Sequence, residues 1–352
     1  MATTVDSLIL LVPELRAGAV WEPGGAAAPR LPALARFLAV AATAPCGEHE
    51  VALAGALGVG CAGDDWPLGS WSRLGEPDAG PVAGPCLRLD PVHLRADRDR
   101  VLLIGPQALA IGAQEADAML GALAPLAAAR GWRLEAAPGA GRGLRWYLYP
   151  DRWPRLRTRP PHGLAGAAVD PGVVEGPDAP AWRAWLTEAQ MVLHAGSWNE
   201  AREARGLPAV NALWPWGAGR PASPPVAGTP RLWARDPVAV GLARWCGQEP
   251  AEPRSAARVL EAGGGVVVLD QAREALLAGD APGWQAAAAA VDEHWIRPAL
   301  AALRRGRLRR LELIPGGGLR HSLGRAGSWR WWRRPVGMAQ WLAAKGTGPH
   351  GP

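Results

Sequence analysis

Short apolar runs at the two far ends of the chain constrain its fold most. Residues 7–12 (SLILLV) and 265–269 (GVVVL) are too short for buried helices and read as interior strands. Residues 308–314 (LRRLELI) alternate as a strand does and stop at Pro-Gly-Gly-Gly. Helical patterns separate these runs, over 31–42, 51–57, 238–246, 255–261 and 284–305, the last with a kink expected at Pro298. Strand, helix, strand, helix, strand at both ends predicts an α/β sheet interrupted by an insertion.

The middle of the chain has a different rhythm. Residues 60–85 are rich in Gly, Pro and Asp and read as loop. Residues 86–105 give two strands around a charged turn at 97–100, and 114–130 form an amphipathic helix ended by Gly131. Strands at 132–136 and 144–149 follow, so the order β-β-α-β-β predicts a small α+β unit. Its turn, Gly139–Gly143 (GAGRG), superficially resembles a dinucleotide loop. It joins strand to strand with no helix after it, so that reading is rejected. Residues 1–85 and 230–352 are therefore expected to form the α/β core. Residues 86–150 form the inserted unit, and 151–229 a linker with a two-helix segment.

A chain of 352 residues with 49% hydrophobic and 20% charged residues is globular, and its net charge of +6 permits phosphate contacts without demanding them. Lys345 is the only lysine, and the 19 Trp far outnumber Phe and Tyr, a bias expected of GC-rich coding sequence. Cys46, Cys61, Cys86 and Cys246 show no C-x-x-C spacing and read as free thiols. No run approaches the ~18 apolar residues of a membrane span, so a cytoplasmic location without membrane attachment is expected.

Residues 180–221 hold the densest set of candidate site residues. Asp178 and Pro180 start a helix whose Trp182, Trp185, Leu186, Ala189, Val192 and Leu193 recur on one face. Ser197 and Glu200 fit a capping box opening a second short helix, which Gly206 ends. That helix carries Asn199, Arg202 and Arg205; beyond it lie Asn211, Trp214, Trp216 and the turn at Gly217 and Gly219. Amide, guanidinium and bare glycine backbone beside two indoles suit an anion pocket for a phosphorylated or carboxylated small molecule. Arg202 is read as a surface group of little weight in folding.

The run LTEAQMVLH…NEAREARGLPAVNALWPWGAG resembles a stretch of the cofactor-independent phosphoglycerate mutases of archaeal type. It is more similar still to shorter bacterial proteins labelled either phosphoglycerate mutase or RpfE-type regulatory proteins. The resemblance covers roughly forty residues. It implies a three-layer α/β core of alkaline phosphatase-like type.

Mutases of that family move a phosphoryl group with two metal ions and a serine nucleophile, which requires several Asp and His ligands at strand ends. The matching positions depart from that pattern. The first strand runs into Pro13 and Glu14 where Asp-Gly is implied, and Cys46-Gly47-Glu48-His49-Glu50 holds no hydroxyl where the serine belongs. Asp270 ends its strand as implied, but QAREALLA after it lacks the His, and LELI meets Pro315 instead of Asp-His. The resemblance with these losses implies a degenerate mutase-like protein, binding no metal or cofactor and acting as a binding or regulatory protein, with Asp270 as a vestige of the active site. The alternatives are an active metal-dependent mutase, and single-stranded nucleic-acid binding by the C-terminal run of residues 319–335. That run interleaves Arg320, Arg325, Arg330, Arg333 and Arg334 with Trp329, Trp331 and Trp332. Its indoles are expected to be buried, so nucleic acid is not an expected partner, while a protein partner is left open. Glu188, Gln190 and His194 are read as structural, and Asp292, Glu293 and His294 as a solvated helix face.

Overall fold

The computed structural model describes residues 4–16, 28–61, 63, 65–80, 84–97, 100–164, 168–169, 174–224, 228–330 and 332–343. The chain divides into two compact units. The first comprises Met1–Val59, Pro225–Ala239 and Cys246–Pro352; the second comprises Gly60–Pro224 and Val240–Trp245.

The first unit is built on a six-stranded sheet in the order Ala42–Pro45, Leu319–Gly324, Leu308–Ile314, Val5–Leu11, Gly265–Val268, Leu232–Trp233. Val5–Leu11 pairs parallel with Leu308–Ile314 and Gly265–Val268, so the apolar runs from the two chain ends lie side by side. Leu319–Gly324 turns back antiparallel. Leu8, Leu10, Val267, Leu311 and Leu313 on the strands pack with Phe37, Trp284, Ile296 and Leu303 from the helices. Burying each such side chain contributes about 1.5–3 kcal/mol, which accounts for why these runs can only be interior strands. Entry to Gly265–Val268 depends on glycine. A Cβ on Gly264 would stand 2.4 Å from Val5 Cγ1, and one on Gly265 2.2 Å from Arg231 O, both at positive φ.

The kink expected at Pro298 takes a specific form. Ala281–Val291 and Arg297–Arg304 are joined by one widened turn, Asp292–Ile296, in which the Arg297 N–H reaches back to Asp292 O. A widened turn relieves the clash and the missing donor that proline imposes on the turn before it. Asp292, expected on a solvated face, is buried instead and accepts a hydrogen bond from the Leu34 amide at 2.6 Å. It thereby caps the first turn of Pro32–Val40, where a carboxylate is favoured by orphan N–H groups.

The second unit carries an antiparallel sheet in the order Arg133–Ala136, Trp146–Tyr149, Leu87–Asp97, Arg100–Ile104, Ala168–Val169, with Ala212–Trp216 also paired to Leu87–Asp97. The helix Ala113–Ala128 lies between its second and third chain-order strands, giving the β-β-α-β-β order. Residues 60–85, read as loop, contain the helix Leu68–Leu74. The stretch AVNALWPW contains a strand despite Pro215. Ala212–Trp216 pairs with one neighbour, so a residue without an N–H is tolerated there. Trp132 stacks on Trp182 at 4.6 Å and meets Trp185 edge-on at 5.4 Å, tying Ala179–His194 to the sheet side of this unit.

Candidate functional site

In the second unit, Asn199, Arg202, Asn211, Trp214, Trp216 and the glycine turn of the 197–219 segment are engaged by the unit's own chain. Asn199 Nδ2 donates to Leu193 O and Val210 O while its Oδ1 accepts from Val210 N, which fastens the short helix Ser197–Glu203 to the strand that follows. Asn211 exchanges two side-chain bonds with the Leu94 backbone, at 2.8 and 3.0 Å, extending the strand pairing by one side chain. Trp214 Nε1 donates to Arg159 O and Trp216 Nε1 to Asp90 Oδ2.

Arg202, read as a surface group, is fully buried. Its Nε donates to Pro208 O at 2.6 Å, one terminal nitrogen to both Glu115 oxygens at 3.0 Å, and the other to Leu109 O. A guanidinium with its fork filled in this way is a brace that ties Ser197–Glu203 to the helices Pro106–Leu109 and Ala113–Ala128 and to the loop at Pro208. Arg205 beside it is exposed and lies 3.6 Å from Glu115.

The glycine turn is occupied in the same sense. Gly217 N–H donates to Thr158 Oγ1, Gly69 N–H to Gly217 O, and Gly219 N–H to Trp66 O. A Cβ on Gly219 would stand 1.9 Å from Asp65 O. The bare backbone there admits the chain's own 65–69 segment. Asp65 accepts from Thr158 Oγ1 at 2.6 Å, from the Ala218 amide and from the Trp66 amide, yet burial still pushes its carboxyl up to about 6.

A second polar set, missed in the sequence, lies inside this unit. Arg88 pairs with Asp90 at 2.6 Å and donates to Ser72 Oγ, which meets Tyr147 OH; Tyr147 donates to Glu76, and Arg145 grips both Glu76 oxygens. Its members fall in three short stretches, 72–76, 88–90 and 145–147, far apart from one another in sequence, so no local pattern marks the whole set.

In the first unit, the C-terminal ends of the parallel strands gather a charge cluster. Asp270 follows Gly265–Val268 and pairs with Arg235 at 3.1 Å. Arg273, on the helix Gln271–Leu277, is buried and stands 3.0 Å from Asp236 and 3.6 Å from Glu50. Burial pushes the Asp236 carboxyl up, but Arg273, the Ala239 amide and His49 outweigh it and hold it below the usual carboxylate range. Burial acts to lower the Arg273 pKa, and Asp236, Glu50, Asp270 and Glu14 together raise it, so the guanidinium stays charged. Glu14 has a left-handed backbone, φ 59°, and its carbonyl accepts from Trp284 Nε1 at 2.9 Å.

These residues do not fit a two-metal centre. A divalent cation needs carboxylates whose charge is free to face it, and here a guanidinium already holds two of them. Among the described residues no group of three His, Cys, Asp or Glu is arranged to hold a metal ion. Arg273 lies within the QAREALLA stretch where the resemblance implies a ligating His. Its signal was legible: a lone basic residue in the first helical turn after a strand-end Asp.

His321, on Leu319–Gly324, is buried against Thr43 Oγ1 at 2.9 Å; burial and then Arg16 push its pKa down to about 4. A depressed histidine contributes stability above its unfolded value near 6.5 and loses it as pH falls toward 4. His321→Gln should therefore gain on the wild type by something on the order of 2 kcal/mol between pH 7 and pH 4. Paired denaturant titrations at the two pH values check this, and an unchanged difference would refute it. The raised Asp65 has the opposite sign, losing stability as pH rises from about 4 through about 6, so the wild-type profile alone would mask both.

The C-terminal run departs from expectation. Trp329 and Trp332 are 56% and 66% exposed, while Trp331 lies outside the described residues. Glu188 and His194 are exposed, and Glu188 stands 3.8 Å from Arg130. No helix among the described residues is long and apolar enough to cross a membrane.

No family model matches this chain, and no curated protein is significantly similar to it. Solved structures are. The cofactor-independent phosphoglycerate mutase from Thermoplasma acidophilum is 15% identical, with 90% of this chain and 89% of that one covered at a TM-score of 0.39. The PH0037 protein from Pyrococcus horikoshii is 13% identical, with 92% and 88% covered at a TM-score of 0.41. The likeness is one of mixed α/β architecture at low identity, and it extends to no residue and no chemistry.

Proposed function

We propose that this chain is a degenerate phosphoglycerate mutase-like protein that works as a binding or regulatory protein without metal-dependent phosphoryl transfer. One observation carries the reading: the buried Arg273 guanidinium lies between Asp236 and Glu50 at the strand ends. A fixed internal cation neutralises those carboxylates as a metal would, but it has no open coordination position, cannot acidify a hydroxyl and cannot bridge phosphoryl oxygens. The departures at Pro13, Cys46 and Pro315 from the pattern implied by the resemblance point the same way. In this reading the segment 197–219 serves as a brace of the second unit.

The test is conversion of 3-phosphoglycerate to 2-phosphoglycerate, coupled to enolase, with Mn²⁺ or Mg²⁺ supplied. No turnover above the blank is expected. Metal-dependent turnover that disappears in Asp270→Ala would establish the active mutase instead.

A further inference from the structure

Beyond the strand-end cluster, and independent of it, the first unit carries a cationic surface with exposed indoles. Glu312 is the last acidic residue of the chain; after it come Arg320, Arg325, Arg330, Arg333, Arg334 and Lys345 against no Asp or Glu. Those six charges equal the +6 of the whole chain, so the remaining residues balance and the excess lies at this end. Glu312 itself is buried, 3.8 Å from Arg310 and 3.6 Å from Arg320. Arg325, Arg330, Arg333 and Arg334 are exposed and, among the described residues, none has a carboxylate partner.

The fold concentrates the charge further. The Arg325 guanidinium carbon stands 3.3 Å from where a Gly306 Cβ would be, which sets it against the turn carrying the exposed Arg305 and Arg307. Like charges gathered without counter-charges cost folding energy, and a polyanion relieves that cost. The segment is also held in place. Arg36, on Pro32–Val40, donates to the carbonyls of Arg330 and Arg333, and the buried Ser328 hydroxyl donates to Arg325 O at 2.6 Å. The chain at Arg325, Arg330 and Arg333 is thus tied to the unit, while Trp329 and Trp332 remain on the surface.

We propose that this Arg/Trp surface binds single-stranded nucleic acid without strong sequence preference. Exposed indoles give planar faces on which bases stack, and guanidinia between them contact the phosphates. A membrane anchor would present a continuous apolar face on an amphipathic helix. Here the indoles stand on a short turn, Ala326–Trp329, and the loop after it, flanked by guanidinia.

The experiment is fluorescence anisotropy of the full-length protein with labelled oligo-dT and oligo-U of roughly 12 nucleotides. Micromolar binding is expected near 50 mM salt, with a log–log salt slope of about −3 for four phosphate contacts to a single strand. Trp329→Ala with Trp332→Ala should weaken binding at least about tenfold. Arg330→Gln with Arg334→Gln should make the slope shallower by about 1.4. Both pairs lie on the surface, and circular dichroism with melting curves should match the wild type. Absence of binding at low salt, or binding that neither pair alters, would overturn the assignment. So would tighter binding to phosphatidylglycerol vesicles than to either oligonucleotide, since that would give the surface to lipid.

Discussion

Arg202→Ala is expected to lower the melting temperature of the ligand-free protein by about 10 °C, from a loss of about 3–5 kcal/mol in a unit of this size. The guanidinium is fully buried, and its removal strands the Glu115 carboxylate together with the carbonyls of Leu109 and Pro208. The two carbonyls lose their guanidinium donor, and Glu115 keeps the Gly112 amide at 3.3 Å and Arg205 at 3.6 Å in place of the paired fork, so each carries a desolvation cost. Arg202→Lys should recover only part, because an ammonium cannot fill a planar fork that binds a carboxylate and two carbonyls at once. Differential scanning calorimetry with circular dichroism measures the effect. A shift within a degree or two, together with an anionic metabolite that stabilises the wild type through Arg202, would return this segment to the role of a binding pocket.

Arg273→Leu should be comparably severe. It takes from Asp236 and Glu50 the guanidinium that stands 3.0 and 3.6 Å from them in a buried site, where breaking a buried pair costs about 3–5 kcal/mol. The sign of its pH dependence follows from Asp236, whose carboxyl is held below the usual range when Arg273 is present. Stability from such a group is present above the unfolded carboxylate value and lost as pH falls through the folded one. The gap between wild type and variant should thus be wide at neutral pH and close in acid, where the stranded carboxylates protonate. A gap equally wide at pH 7 and in acid would contradict the ion-pair account.

The strands at the chain ends were legible because they are locally encoded: SLILLV and GVVVL are apolar without interruption and can only be interior. The β-β-α-β-β order was legible for the same reason, from period and punctuation. What escaped depended on partners distant in sequence. The helix Leu68–Leu74 sits in a Gly- and Pro-rich stretch and is fixed by close approach, since a Cβ on Gly69 would stand 2.3 Å from Leu87 Cα. Arg202 read as a surface residue because its helix is short and polar; its counter-charge, Glu115, is 87 positions away. The glycines at 217 and 219 read as open backbone, and only the fold reveals that residues 65–69 fill it. Asp270 was singled out from its strand, but Asp236 and Glu50 join it only through tertiary structure. The exposure of Trp329 and Trp332 was likewise invisible, because an Arg/Trp run is equally compatible with a buried strand.

Arg273 holds Asp236 and Glu50 beside the strand-end Asp270, and under the proposed function it stands in place of metal there. The most direct measurement is metal stoichiometry by elemental analysis of protein grown in Mn²⁺- and Zn²⁺-supplemented medium, with calorimetric titration of Mn²⁺ into the metal-stripped chain. The account predicts less than a tenth of an equivalent retained (a threshold of roughly that order is needed to exclude a tight site) and no saturable heat. Two tightly held ions per chain, lost on Asp236→Asn or Asp270→Asn, would contradict it.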